Sequence, residues 1–261
     1  VSTLIFNAPA VHKLYKELKD NDHQSNVDKV FSEKINFNKK LKISKLSFGY
    51  NNHDQILNNL DINFNKGDIV GITGKSGTGK SSLLDIISGL IVPNSGQILV
   101  DDYIVNLNNI DWYNKISYAS DKNYFIDDTV KQNITLNRKD ENIDIHKLEN
   151  VLRITNLLYG DNEFEIDLNK KMGEIGKNLS SGQKQRISLS RSLYKQCEIL
   201  IMDESTNAID EKSQDKIMDK IINFAKENRI TLIIVSHDKK VLAKCQVTYL
   251  LENKNLRILN V

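Results

Sequence analysis

Eight consecutive residues carry the first chemical signal: Gly74-Lys75-Ser76-Gly77-Thr78-Gly79-Lys80-Ser81. They fit the pattern G-x-x-x-x-G-K-[ST], and Ser82 follows directly. Glycines at this spacing let backbone N–H groups turn inward around phosphate oxygens, and the start of a helix adds its positive end. Lys80 can reach the β- and γ-phosphates of a nucleotide, and the Ser81 hydroxyl can ligate Mg²⁺. Gly74, Ser76, Gly77, Thr78, Gly79, Lys80, Ser81 and Ser82 are therefore the candidate phosphate-binding residues. A chance glycine-rich turn would not need a strand before it and a helix after it. Here a short apolar stretch at 68–73 precedes the glycines, and 80–90 reads as a helix.

A second constellation lies further along. The apolar run Ile199-Leu200-Ile201-Met202 ends in Asp203-Glu204. Such a strand delivers acids to the end of a sheet, beside the phosphates. Asp203 suits holding a metal, directly or through water, and Glu204 is placed to polarise an attacking water as general base. An apolar run followed by two acids says little alone; paired with a phosphate loop it points to nucleotide hydrolysis.

These residues need a scaffold. The 261 residues are 39% hydrophobic and 27% charged, enough for a sizeable core in one large domain or two small ones. Apolar strands at 68–73, 115–119, 199–202 and 232–235 alternate with helices at 80–90, 181–195 and 212–228. That order predicts an α/β fold whose mostly parallel sheet is covered on both faces. Residues 41–50, 57–64 and 96–100 read as further strands, the second with clean apolar–polar alternation. Leu148, Val151, Leu152 and Thr155 mark an amphipathic helix that Gly160 could terminate. Residues 1–33 differ: Pro9 could open a helix, and Val11, Leu14, Tyr15 and Leu18 fall on one face of it. With the polar stretch at 20–24, this reads as a helical tail plus linker. No internal repeat or heptad run is visible.

Charge and composition exclude several classes. Lys plus Arg is 36 and Asp plus Glu is 34, a net charge of +2, so no nucleic-acid partner is expected. Cys197 and Cys245 are far apart and outside any CxxC pattern, as for thiols in a reducing compartment. No apolar run approaches the roughly 18 residues that cross a bilayer, and no signal-peptide pattern is present. The chain opens on Val1, not Met, and is expected to be a fragment or a processed chain.

Asn178-Leu179-Ser180-Ser181-Gly182-Gln183-Lys184-Gln185-Arg186 resembles the signature motif of ABC ATPases, usually written LSGGQ, with Ser181 replacing the first glycine. Ser-Ser-Gly-Gln opening a helix would by itself be ordinary capping. Its place, about a hundred residues after the phosphate loop and about twenty before Asp203-Glu204, makes the resemblance specific. The opening of this helix is a second anion site, with backbone N–H groups, Ser180, Ser181, Gly182 and Gln183. The resemblance implies that this site faces the γ-phosphate held by a partner, in a head-to-tail dimer with two ATP molecules at the interface. Asn207-Ala208-Ile209-Asp210 resembles the D-loop, usually SALD, with Asp210 reaching toward the partner's site. His237 resembles the switch histidine that contacts the γ-phosphate, and Tyr50 the aromatic that stacks on adenine. Asp121 stands where the family usually carries a Q-loop glutamine; a carboxylate there can still approach Mg²⁺. His12, His23, His53 and His146 match nothing and read as surface or packing residues.

The resemblance covers about residues 34–261. It implies a P-loop NTPase core, an antiparallel β subdomain at 40–66 and 96–102, and a helical subdomain at 122–196. Residues 125–134 resemble the exporter stretch after the Q-loop, and Gly173-Glu174-Ile175-Gly176 resembles the one before the signature. Lys39 to Tyr50 and the general layout most resemble bacterial lipid-linked oligosaccharide flippases. What this implies is an ATPase domain that powers an exporter or flippase at the cytoplasmic face of the cell membrane. Its cofactors would be ATP and Mg²⁺, and its partners a second ABC ATPase domain and a transmembrane domain of the same polypeptide. The tail at 1–33 would then come from the preceding transmembrane domain. Alternatives are an importer ATPase subunit, a soluble ABC ATPase, and a non-hydrolysing module for which ATP is a dimerisation switch. Glu204 and His237 argue against the last, and Asp121 keeps it open.

Overall fold

The structure is a computed structural model that describes residues 34–259 apart from 52, 53, 108, 123, 138, 159–165, 174, 175 and 178. The expected tail at 1–33, Gly160, Glu174, Ile175, Asn178 and three of the five histidines (His12, His23 and His53) lie outside the described residues. In chain order the strands are β1 (Lys40–Gly49), β2 (Gln55–Asn65), β3 (Ile69–Thr73), β4 (Ser95–Val100), β5 (Tyr103–Ile104), β6 (Ile116–Ser120), β7 (Ile199–Asp203), β8 (Thr231–Val235), β9 (Val247–Glu252) and β10 (Asn255–Leu259). The α-helices are α1 (Lys80–Ile87), α2 (Ile110–Lys115), α3 (Val130–Thr135), α4 (Ile145–Ile154), α5 (Ser181–Tyr194), α6 (Glu211–Glu227) and α7 (Lys239–Leu242).

Two sheets result. One has the order β2-β1-β4-β5 and is antiparallel throughout. Its apolar alternation slips midway along β1: Leu41 and Ile43 are buried, then Leu46 and Phe48. The register shifts between Ile43 and Leu46, opposite the shift from Ile62 to Leu60 in β2, so a bulge restores the inward face. Lys45 (φ 51°) and Asn59 (φ 50°) take the left-handed conformations that this requires.

The other sheet has the order β10-β9-β3-β8-β7-β6, parallel except for β10. Along β7, Ile199 and Ile201 enter the core beneath the antiparallel sheet, while Leu200 and Met202 enter the core beneath the helices. In β8, Ile233 and Val235 divide from Leu232 and Ile234 in the same way. Burial on both faces is why these strands are apolar without alternation. Because they run parallel, their C-terminal ends share one edge. There β3 runs into the phosphate loop, β7 ends at Asp203, β8 leads to Ser236-His237, and β6 leads to Asp121.

The helical subdomain packs α5 against α3 and α4. Thr129, Asp144, Ser180 and Asp210 cap α3, α4, α5 and α6, each accepting a backbone N–H. The structure differs from expectation at several places. Helix α4 ends at Ile154, with Asn156 (φ 54°) turning the chain well before Gly160, and α2, α7 and β5 stand where no element is expected. Helix α1 stops at Ile87 rather than at residue 90, because Gly89 (φ 80°) turns the chain. Lys115 ends α2 instead of opening β6. The C-terminal hairpin of β9 and β10 is an addition to the expected elements; it turns through Asn253 and Lys254, both at positive φ.

Candidate nucleotide-binding site

The phosphate loop is shaped by glycine. Gly79 sits at φ 101° before α1, and a Cβ there would come within 2.5 Å of the Ile56 side chain. No other residue meets both conditions without strain. Thr78 closes the turn, with its hydroxyl donating to the Lys75 carbonyl at 2.9 Å. Inside the loop, the Lys80 ammonium donates to the carbonyls of Gly74 (2.7 Å) and Lys75 (3.0 Å). Burial lowers the Lys80 pKa, and the charges of Glu204 and Asp203 pull it partly back. The cation expected from the motif is thus aimed across the loop, within electrostatic reach of both acids. Ser76 and Gly77 are exposed on the loop.

Asp203 is buried at the end of β7, where it accepts hydrogen bonds from the Ser81 hydroxyl and, at 3.2 Å, from the Tyr118 hydroxyl. Burial raises its pKa; these two donors oppose the shift, and the charges of Glu204 and Asp121 add to it. Ser120 pairs with Asp203 across the sheet, which brings the following Asp121 to the same corner. Burial, then the Asp203 charge, also raises the Asp85 carboxyl on α1. Tyr118 is held protonated by burial and by Asp203, so it stays a donor.

Glu204 leaves the strand at φ 49°, a left-handed conformation costing about 1–3 kcal/mol for a residue with a Cβ. The kink sends its carboxylate between two partners. Oε1 lies 3.2 Å from His237 Nε2, and Oε2 accepts from the Asn207 amide at 3.0 Å. Both oxygens are therefore oriented, and the imidazole that follows β8 stands beside the acid that follows β7. Tyr50, 63% exposed, packs its ring edge-on against Phe48 at 5.0 Å. Its hydroxyl lies 3.2 Å from Ser82 Oγ, tying it to the start of α1.

The signature-like residues form a separate group. Ser180 and Gln183 close a capping box on α5: Gln183 N–H donates to Ser180 Oγ (3.2 Å) and Ser180 N–H donates to Gln183 Oε1 (3.0 Å). Ser180, Ser181, Gly182, Gln183 and Asp210 line one cavity of about 470 Å³, with Arg186 at its side. Residues 74–82 contribute nothing to its lining among the described residues. Gln185 joins the two motifs by accepting from Ala208 N–H at 2.7 Å. The N–H of Ser213 lowers the Asp210 pKa as Asp210 caps α6, and Arg186 lies 3.5 Å away.

Of the residues that sequence reasoning singled out, the structure brings Tyr50, the phosphate loop, Ser82, Asp121, Asp203, Glu204 and His237 to one edge. It sets Ser180–Gln183 and Asp210 apart. Sequence reasoning missed Asp85 and Tyr118, and it gave no role of their own to Gln185 and Asn207 within their motifs. Asp85 did carry a signal, as the acid in the otherwise apolar run Leu83-Leu84-Asp85-Ile86-Ile87.

Residues 57–207 match the family model described as ABC transporter, more than half of the chain. The chain belongs to the ABC transporter family. This ABC domain is 30% identical over 219 residues to a probable ABC transporter ATP-binding/permease protein of Haemophilus influenzae, covering 82% of this chain and 38% of that protein. It is 34% identical over 183 residues to the alpha-hemolysin translocation ATP-binding protein of Escherichia coli O157:H7, covering 70% of this chain and 25% of that protein. The structure of a bacterial Atm1-family ABC exporter with ATP bound superposes with a TM-score of 0.77 at 23% identity, over 86% of this chain and 39% of the other, a likeness of fold. The ABC domain spans about two fifths or less of the length of these proteins. It is an ATP-binding ATPase domain of this family.

Proposed function

We propose that this ABC domain powers a membrane exporter by closing head to tail on a second copy around two ATP molecules. One observation carries the reading: the phosphate loop with Glu204 and His237 forms one half-site, and the cavity of Ser180–Gln183 and Asp210 forms another that borrows nothing from it. A second copy, turned about a two-fold axis, would bring each half to the other.

Within that dimer Tyr50 offers its exposed ring to adenine, and residues 74–82 offer backbone N–H groups to the phosphates. Ser81 and Asp203, already hydrogen-bonded to each other, form a hydroxyl–carboxylate pair that fits Mg²⁺, with Asp121 close enough to add charge. Mg²⁺, when bound, supplies electrostatic stabilisation of the phosphate oxygens. Glu204 accepts the proton of the attacking water. His237 and Asn207 fix the carboxylate that does so, and Lys80 balances charge developing on the transferred phosphoryl group.

The membrane part is proposed to come from a transmembrane domain of the same polypeptide, which would hold this domain at the cytoplasmic face. Support comes from relatives described as ATP-binding/permease proteins. Among the described residues no helix is long and apolar enough to cross a membrane. A groove of about 470 Å³ between the sheet and the helical subdomain, with Leu90 and Leu136 exposed at it, gives such a partner an apolar seat. The non-hydrolysing alternative has no account for the Glu204–His237 pair.

The test is the mass of Glu204→Gln in solution. With saturating MgATP the variant should elute as a dimer by light scattering, because ATP bridges the two halves and is not consumed. A monomer at saturating MgATP would refute the reading.

A further inference from the structure

We propose that residues 24–33 dock on the outer rim of the antiparallel sheet, with Val27, Val30 and Phe31 filling the groove beside β5. This inference is independent of the proposed transport function. The groove measures about 600 Å³; Ile35, Val100, Tyr103, Ile104 and Val105 give it an apolar stretch, bordered by Lys34, Asp101 and four asparagines. Tyr103 is 81% and Ile104 66% exposed, a large apolar pair at the rim. Strand β5 is the last in its sheet and is bonded to β4 alone among the described residues. An edge of this kind is normally covered or charged.

The described chain begins at this groove, with Lys34. The Asp101 carboxylate accepts the N–H groups of Asn38 (2.8 Å), Lys39 (2.8 Å) and Lys40 (2.9 Å). Asp111 accepts the N–H of Ile35 at 2.7 Å. Two carboxylates therefore pin residues 35–40, and Lys34 is itself part of the groove lining. Phe31 lies three residues upstream, so its Cα is within about 11 Å of that of Lys34. A tether this short holds the segment at an effective concentration on the order of millimolar. The sequence supplies a matching face. Val27, Val30 and Phe31 stand at i, i+3 and i+4, with Asp28, Lys29, Ser32 and Glu33 between and after them. Three apolar side chains at that spacing, delivered to the apolar part of the groove, would bury surface that both would otherwise expose. Docking here would join the segment before the domain to the sheet whose β1 ends beside Tyr50.

Thiol labelling of the full 261-residue chain tests this. Ile104→Cys places a reactive group in the groove. Burial pushes the native thiols of Cys197 and Cys245 up, to about 12 and about 11, so the added thiol reacts first. Labelling by a maleimide is expected to be about tenfold slower with the native segment than after Val27→Ser, Val30→Ser and Phe31→Ser, the ratio for about 1.4 kcal/mol of docking. Equal rates would overturn the proposal. Protection that grows with protein concentration would also overturn it, by assigning the groove to a second copy. ATP binding is measured alongside. If the triple variant fails to bind ATP, Phe31→Ser alone decides the matter, with faster labelling supporting the proposal and an unchanged rate refuting it.

Discussion

Strand β7 has a carboxylate at each end, and the two are treated in opposite ways. Glu198, just before the strand, accepts from Lys66 and Lys115 at 2.6 Å each. Burial alone would raise its pKa, but the two ammonium donors outweigh burial and hold it below the ordinary carboxylate range. Asp203, the last residue of the strand, has hydroxyls for partners and other carboxylates for neighbours, and its pKa is raised. Lys80 beside it is pushed the other way by burial. Four residues of backbone thus separate a satisfied ion network from a set of charges left out of balance. The N-terminal edge of the sheet is built to hold the fold. The C-terminal edge carries an electrostatic cost and a strained Glu204 that a polyphosphate and its cation would relieve.

This contrast is exposed to substitution at both edges. The largest effect belongs to Glu204→Gln, expected to lower steady-state ATP hydrolysis by about 100-fold or more while equilibrium ATP binding persists. An equally active variant would remove the catalytic meaning of the strained edge. Next comes Lys80→Met, which keeps the buried stem and removes the charge. Nucleotide affinity should drop by about tenfold or more, equivalent to about 1.4 kcal/mol. The thermal midpoint should hold or rise, because burial disfavours the cation that is lost.

Glu198→Gln should do the reverse. Activity per folded chain is unchanged, and stability to urea falls by about 1–2 kcal/mol at pH 7, discounted for partial exposure. The sign with pH follows from a lowered carboxyl pKa. The contribution is present above the ordinary carboxylate range and is lost as pH falls through the lower folded value. The gap between native and variant chains should therefore close below about pH 4. The smallest effect is that of Asp121→Gln. Removing one exposed negative charge near the phosphates should tighten metal-free ATP binding by about two- to threefold at low salt, and less at high salt.

How far the sequence disclosed all this depended on how local each feature is. The phosphate loop was legible because its turn is set by its own glycines, and Asp203-Glu204 because the apolar run before them is continuous. Asn207 and Gln185 were not legible, since one acts through the kink at Glu204 and the other through contact with Ala208. Tyr118 becomes a donor to Asp203 only through the register of β6 on β7. The hairpin of β9 and β10 escaped notice although its Asn253–Lys254 turn sits between strand-like runs. The capping of Ser180 by Gln183 was readable as helix chemistry, while the cavity shared with Asp210 needed the fold.

In the proposed dimer, neither half-site is complete alone. The most direct measurement is the MgATP hydrolysis rate per chain across a wide range of protein concentration. A specific rate that climbs with concentration and then levels off is the predicted result, as dimers fill. A specific rate constant from the most dilute sample upward would contradict the account, since single chains would then be hydrolysing ATP unaided.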